Sequence, residues 1–378
     1  MKILYTLNSG KPGGMEHYVR YLVKGMVEAG NEVYVWCPDG EIVPMYQEAG
    51  ATVEIHTINS DFDLAYIFKL SKFLKENKID VIHANELKAV VNSLIAAKVA
   101  GTKVRISHTH TPISEWQISS LKKFLTTKGY AFFVNNFSTK EIALTQNSRS
   151  AKVKEGIEDN KLVVIPNGID TKAFSATKEQ RNMFNKLIRN RYDIPDTTFI
   201  FGVVSRLTIE KGHDVLVKAF AKFLQKINSH GDDYRLLLAG GGALYQQLNK
   251  QAADLKISDQ VTITGILAQE DLVKLYSAMN CFVFPSRAEG FGYVLAEAMY
   301  SEVPTICSDL PVLKEVGSDL VTYFTVGNDE DLSDKMVAIL PEISGGSVKL
   351  AESKQRVEDL FSLEIFIKNY INLYTESL

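Results

Sequence analysis

Three short segments carry side chains suited to an anionic, sugar-bearing ligand. In "VSRLTIEKGHD", Arg206 and Lys211 stand five residues apart on a loop expected to follow a strand. A guanidinium fork beside an ammonium suits the oxygens of a diphosphate. Two solvated surface charges are the plainer alternative. In "FPSRAEGFGYVLAEAMY", Gly290 and Gly292 free the backbone around Phe291, and Glu297 follows Glu289 by eight residues. This spacing places one carboxylate on a loop and the other on the wall of the next helix. The amides of Gly292, Tyr293, Val294 and Leu295 would open that helix and face an anion or sugar oxygens. The plainer alternative makes Glu289 an acid favoured by the helix dipole and Glu297 a surface residue. In "SGKPGGMEHY", Gly10, Gly13 and Gly14 allow close approach of backbone to ligand just before a helix that begins near Met15. The G-x-G-x-x-G spacing of a nicotinamide site is absent.

A fourth segment, "RISHTHTP", places His108 and His110 on one face if its strand continues. No Cys or carboxylate nearby completes a metal set. An imidazole there could hold a sugar oxygen or move a proton, and His83 of "VIHANE" would line the same edge. Each is also readable as a satisfied structural histidine. Gly240–Gly242 in "LAGGGALY" read as a structural turn, and the "DFD" of Asp61–Asp63 as helix capping rather than a metal pair.

Short β-branched runs alternate with amphipathic segments: "KILYTLN", "EVYVWCP", "TVEIHTI", "DVIHANE" and "KVRISHTH", with a helix over Met15–Ala29 between the first two. After "VVIPNGID" and the polar, basic "ATKEQRNMFNKLIRNRYDIPDT", the alternation restarts with "TFIFGVVSRL" and runs to "VTYFTV". The pattern implies α/β architecture with two Rossmann-like, doubly wound domains facing each other across a cleft. Residues 1–170 read as the first domain and residues 171–361 as the second, with an amphipathic helix over 362–378 at the end.

The composition, 46% hydrophobic and 23% charged with a net charge of −3, is not the basic chain that nucleic-acid binding requires. The three cysteines, Cys37, Cys281 and Cys307, sit in apolar runs and read as buried thiols. The first residues do not read as a signal peptide, and no stretch approaches the roughly 20 apolar residues of a membrane span. A cytoplasmic protein is expected. Trp116, Phe124, Phe132 and Phe133 accompany Lys122, Lys123 and Lys128 in the stretch from Glu115 to Phe137. This stretch is either a surface for anionic lipid or an ordinary helix with a solvated basic face.

"IPNGID", "SRLTIEKG" and "AEGFGYVLAEAM", in this order and at these separations, resemble the retaining family-4 glycosyltransferases of GT-B fold, over essentially the whole chain. "RISHTHT" is similar to a segment of the bacterial capsule and exopolysaccharide members. The resemblance implies a nucleotide-sugar donor, with UDP-sugar the default, a sugar or lipid-linked acceptor, and no cofactor or metal; it makes 1–170, completed by the helix over 362–378, the acceptor-side domain and 171–361 the donor-binding domain. It implies that Arg206 and Lys211 bind the donor diphosphate, Glu289 touches the donor sugar and Glu297 holds the ribose. The backbone of Gly290, Phe291, Gly292, Tyr293 and Val294 would meet sugar and phosphate oxygens, and that of Ile266 the base. Gly13 and Gly14 would let a loop approach the phosphates. The active-site histidine would be His110, or His108 in the other register. "LAGGGALY" departs from the acidic "GDG" pattern of the family. A glycoside hydrolase, a sugar-nucleotide epimerase and a non-catalytic sugar-nucleotide-binding protein are the competing classes.

Overall fold

The structure, a computed structural model, describes residues 1–116, 118–228 and 233–378. The chain divides into two compact units, Met1–Gly168 with Leu363–Leu378, and Ile169–Ser362.

The first unit holds seven parallel strands: β1 Lys2–Thr6, β2 Glu32–Cys37, β3 Thr52–Ile55, β4 Val81–Asn85, β5 Val104–His108, β6 Lys140–Ala143 and β7 Leu162–Val164. Their order is β3-β2-β1-β4-β5-β6-β7. Ile3, Leu4 and Tyr5 of the central β1 are all buried, as expected for a strand covered on both faces. The first helix, Gly14–Glu28, buries Tyr18, Val19, Leu22, Val23 and Met26 at the spacing of one helical face. The chain returns to this unit with its closing helix, Leu363–Glu376, whose Phe366, Tyr370, Leu373 and Tyr374 join the same core.

The second unit holds six parallel strands: β8 Phe199–Val204, β9 Tyr234–Ala239, β10 Val261–Gly265, β11 Cys281–Phe284, β12 Thr305–Ser308 and β13 Thr322–Phe324, in the order β10-β9-β8-β11-β12-β13. Phe201 and Val203 of β8 pack in a core with Phe220, Phe223, Leu236 and Leu238. In both sheets the order reverses beside the first strand, between β1 and β4 and between β8 and β11. Such reversals open a crevice at the carboxyl ends of the strands, where ligands of doubly wound sheets bind.

Three expectations change in detail. The boundaries lie at 168/169 and 362/363 rather than 170/171 and 361/362. Ile169 donates its N–H to Phe361 O at 2.7 Å and bridges in parallel to Ser362, which ties both residues to the second unit. The polar segment after "IPNGID" is largely a helix of that unit, Lys178–Arg191. It opens with a capping box of Thr177 and Gln180 and buries Ile188 and Arg189. Finally, β5 stops at His108, because its pairing with β6 covers only Ile106 and Ser107.

Candidate active site

The two loops at the switch point of the second unit bring charged residues of distant sequence together. Ser205–Gly212 follows β8, and Pro285–Gly292 follows β11. Arg287 fastens them: its N–H donates to Glu210 O at 2.7 Å, and its guanidinium grips the Asp214 carboxylate at 2.7 and 2.8 Å. Gly212 has a φ of 70° and lies so close to Pro285 O that a Cβ would collide with it, so no other residue lets the loops meet this way. Lys211 Nζ donates to Glu289 Oε1 at 2.5 Å, and Ser286 Oγ donates to the same oxygen at 2.8 Å. Lys211 and Glu289, expected at different parts of a donor, are thus one bonded pair.

Arg206 projects from the same loop with its side chain 78% exposed, 3.8 Å from the Glu210 carboxylate. It is the cation of the pair best able to turn onto an incoming anion. Its loop is buttressed from β9: Leu207 N–H donates to Gly241 O at 2.9 Å, and Leu244 N–H donates to Leu207 O at 3.0 Å. This gives Gly240–Gly242 a structural task. His213 Nε2 lies 2.9 Å from Ser205 Oγ and 3.2 Å from Arg206 O.

Gly292, with a φ of 93°, caps the helix Tyr293–Tyr300, and Gly290 completes the turn before it. The first turn of that helix presents backbone N–H groups ahead of any intrahelical acceptor. Phe291 is buried between the rings of Tyr293 and Phe361 and so fixes the backbone at its own position. Val294 and Tyr293 are half-buried in that first turn. Glu297 is not the open carboxylate of a helix wall. It is buried, its Oε2 accepts from Tyr276 O–H at 2.9 Å, and burial pushes its carboxyl up to about 7. Ile266, just past β10, is largely exposed and sits beside Gly241.

At the switch point of the first unit the groups are aromatic and mostly enclosed. Tyr18 O–H donates to Tyr370 Oη at 2.5 Å, and His108 Nδ1 lies 3.2 Å from Tyr18 Oη. His83 Nδ1 lies 2.7 Å from Tyr374 Oη. His108 and His110 stack with ring centroids 3.9 Å apart, and His110 Nε2 lies 3.3 Å from Asn85 Oδ1. His108 has no accessible surface, whereas His110 is half-buried. Of the two rings, His110 is the accessible one, and His108 lies enclosed against it. Burial pushes the imidazoles of His83 and His110 down to about 3 and that of His108 well down, with the Lys152 ammonium adding to the effect on His108 and His110. All three are neutral at physiological pH.

Gly13 caps the first helix in extended conformation and Gly14 is its first residue. A Cβ on Gly13 would meet the buried Glu16 carboxylate at 2.7 Å, whereas one on Gly14 would meet nothing within 4 Å. Gly14 therefore borders open space and Gly13 does not. Asp63 caps the helix Leu64–Glu76 by accepting from Tyr66 N–H at 3.0 Å, a capping role for the "DFD" segment. Among the described residues, no group of three or more His, Cys, Asp or Glu converges as a metal site requires.

Tyr276, Ser286, Asn85 and the closing tyrosines were missed in the sequence. Their roles arise from contacts between segments far apart in the chain, and no local pattern marks them. One signal was available: Glu141, a charge in the buried strand run "EIAL", asks for a partner.

Residues 12–173 match the family model "Glycosyltransferase Family 4" and residues 184–342 match "Glycosyl transferases group 1". The chain is 24% identical to the capsular polysaccharide biosynthesis glycosyltransferase CapM of Staphylococcus aureus, over 94% of each chain. It is also 24% identical to a GDP-mannose-dependent monoacylated phosphatidylinositol monomannoside mannosyltransferase of Corynebacterium glutamicum, over 98% of this chain and 97% of that one. Its fold matches that of Anabaena HepE, solved in complex with UDP, with a TM-score of 0.87 over the whole of both chains at 22% identity. With two doubly wound units, each carrying ligand-ready loops at its switch point, and both halves matched by family models, the chain belongs to the family-4 glycosyltransferases of GT-B fold.

Proposed function

We propose that this glycosyltransferase is retaining and metal-independent, and moves a hexosyl group from a UDP-sugar to an acceptor hydroxyl of a growing glycan or lipid-linked glycan. The observation that carries this reading is the convergence of Arg206, Lys211, Glu289 and a helix N-terminus without a side-chain cap on one switch point. When the anomeric C1–O bond breaks, its electron pair stays on the diphosphate, and preorganised cations stabilise that charge most. Arg206 and Lys211 supply them, in place of a metal. The acceptor oxygen bonds to C1 on the face the diphosphate leaves, and the acceptor's proton passes to a leaving phosphate oxygen. Glu289, aimed by Ser286 and Lys211, holds donor sugar hydroxyls, and Glu297 takes the ribose. Neutral His110 accepts or donates a hydrogen bond to a sugar oxygen.

UDP is favoured by the likeness to HepE, which was solved with UDP; the GDP-mannose-dependent relative makes GDP the alternative. Thermal unfolding with UDP, GDP and ADP, with and without EDTA, tests the donor site. A nucleotide at 100 times its Kd adds about 2.7 kcal/mol of stability. The expected result is a shift with UDP that survives EDTA and disappears in Arg206→Ala. No shift from any nucleotide would sink the reading, and turnover of donor without acceptor would redirect it to an epimerase.

A peripheral membrane contact, at the cytoplasmic face, is a second part of the proposal. Among the described residues, the four exposed phenylalanines, Phe62, Phe68, Phe124 and Phe132, all lie in the first unit. Phe62, in the turn before the helix Leu64–Glu76, and Phe132 both pack on Phe133, at 5.5 Å each, so the patch joins that turn to the helix Ser120–Phe137. The helix begins at Ser120 rather than Glu115, and Gln117 of the expected stretch lies outside the described residues. Lys122, Lys123 and Lys128 on the second helix favour anionic headgroups. No helix among the described residues is long and apolar enough to cross a membrane. Sedimentation with anionic vesicles, lost in Phe124→Ser/Phe132→Ser, is the expected result; failure of the parent to sediment at low salt removes this part.

A further inference from the structure

The first unit contains an ion pair that the proposed reaction does not use. Lys152, on the helix Gln146–Glu155, and Glu141, on β6, have side chains 1% and 0% exposed. Every donor of the ammonium is taken: one by Glu141, one by Ile142 O at 2.7 Å and one by Thr109 O at 2.9 Å. The other Glu141 oxygen accepts from Tyr130 O–H at 2.9 Å. Thr109 closes the ring, with its hydroxyl 3.4 Å from Glu141 Oε1.

Burying two charges is costly, and apolar residues of similar volume often stabilise a fold as well or better. A packing role alone therefore explains this pair poorly. Its address is informative. Thr109 is the single residue between His108 and His110, and β5 has ended at His108, so no sheet ladder holds the backbone there. Lys152 and Glu141 grip that residue instead, from the helix and from the neighbouring strand.

We propose that Lys152 and Glu141 are positioning residues that clamp Thr109 and thereby set the ring of His110 for the acceptor side of the reaction. The inference rests on the reading of His110 as an active-site group. The clamp orients His110 without touching substrate. A displacement of about 1 Å at a reacting group lowers turnover by about a hundredfold, so the effect of the clamp should appear in kcat rather than in donor binding.

The test removes both charges together, leaving no orphan, in Lys152→Met/Glu141→Leu. A second variant, Tyr130→Phe, deletes one hydroxyl at nearly constant volume. The readouts are kcat, KM for the nucleotide sugar, the UDP-induced stability shift, and the ring NMR signals of His110. The clamp predicts that kcat falls about ten- to a hundredfold in the double variant, with KM for donor within about twofold and an unchanged UDP shift. It predicts moved His110 signals in both variants, and a smaller fall of kcat in Tyr130→Phe. Parental kcat and parental His110 signals in a folded double variant overturn it. If the double variant does not fold, Tyr130→Phe decides by the same two readouts. A parent without turnover would count against the proposed function, while the His110 signals would still decide the clamp.

Discussion

The two switch points solve opposite electrostatic problems. That of the second unit gathers formal charges and leaves one of them in water: Arg206 is largely exposed, and Lys211 and Glu289 are paired across two loops. That of the first unit gathers imidazoles and phenols and strips water away, so His83, His108 and His110 stay neutral. In the proposed reaction, the charge that answers the diphosphate needs mobility and a counter-charge within reach. Groups that exchange hydrogen bonds with neutral hydroxyls are better served by a fixed, neutral network. Even the buried ion pair of the first unit, Lys152 with Glu141, is enclosed and compensated.

This contrast is sharpest in acid. The enclosed rings of His83 and His108 titrate far below the ordinary imidazole value, so the unfolded chain binds their protons first. Their contribution to stability is complete above about pH 6.5 and is lost as pH falls toward their folded values. His110 is lowered in the same way, so three such rings in the first unit, against His213 in the second, predict an acid loss concentrated in the first unit. Hydrogen exchange from pH 7 to 5 checks this, and equal acid sensitivity of the two units would break the contrast.

At the other switch point the largest expected effect is kinetic. Lys211→Ala and Glu289→Gln should each lower kcat by about 10² to 10³, as removal of a preorganised transition-state partner does. Glu289→Gln should keep the nucleotide-induced stability shift, and Lys211→Ala should weaken it. Near-parental turnover in both would move the charge stabilisation elsewhere. Glu297 tests the exception, an enclosed carboxyl in the charged unit. Its folded value of about 7 lies above the unfolded one, so its neutral form is favoured and stability is lost as pH rises from about 4.5 through 7. Glu297→Gln should remove a pH-dependent loss of about 3 kcal/mol, seen as a larger Tm difference from the parent at pH 8 than at pH 5. The smallest effect is expected for Tyr374→Phe, which removes the hydroxyl beside His83 Nδ1 and should cost about 1 kcal/mol in urea unfolding.

What was legible in the sequence follows the same division. Arg206, Lys211 and Glu289 could be found because each stands in a loop after an apolar strand run, and strand ends of doubly wound sheets are where ligands bind. The helix faces of Tyr18–Met26 and of Phe366–Tyr374 were readable from their spacing. The pairing of Lys211 with Glu289 was not, because 78 residues separate them and only the meeting of two loops joins them. The enclosure of Glu297 was not legible either, because its partner Tyr276 lies on another helix. Two residues of equal motif value, His108 and His110, could be separated only by burial.

The return of the closing helix to the first unit has a consequence for biosynthesis. Tyr370 and Tyr374 lie in the core that the first 168 residues begin, beside His83 and Tyr18. During translation the second unit, made of one continuous stretch, can be completed while the first still lacks its last helix. The amino-terminal half emerges first and finishes last. Nascent chains stalled before Leu363 should therefore protect the second unit from protease while the first remains cleavable, and the imidazole network can form only once the helix Leu363–Glu376 has left the ribosome.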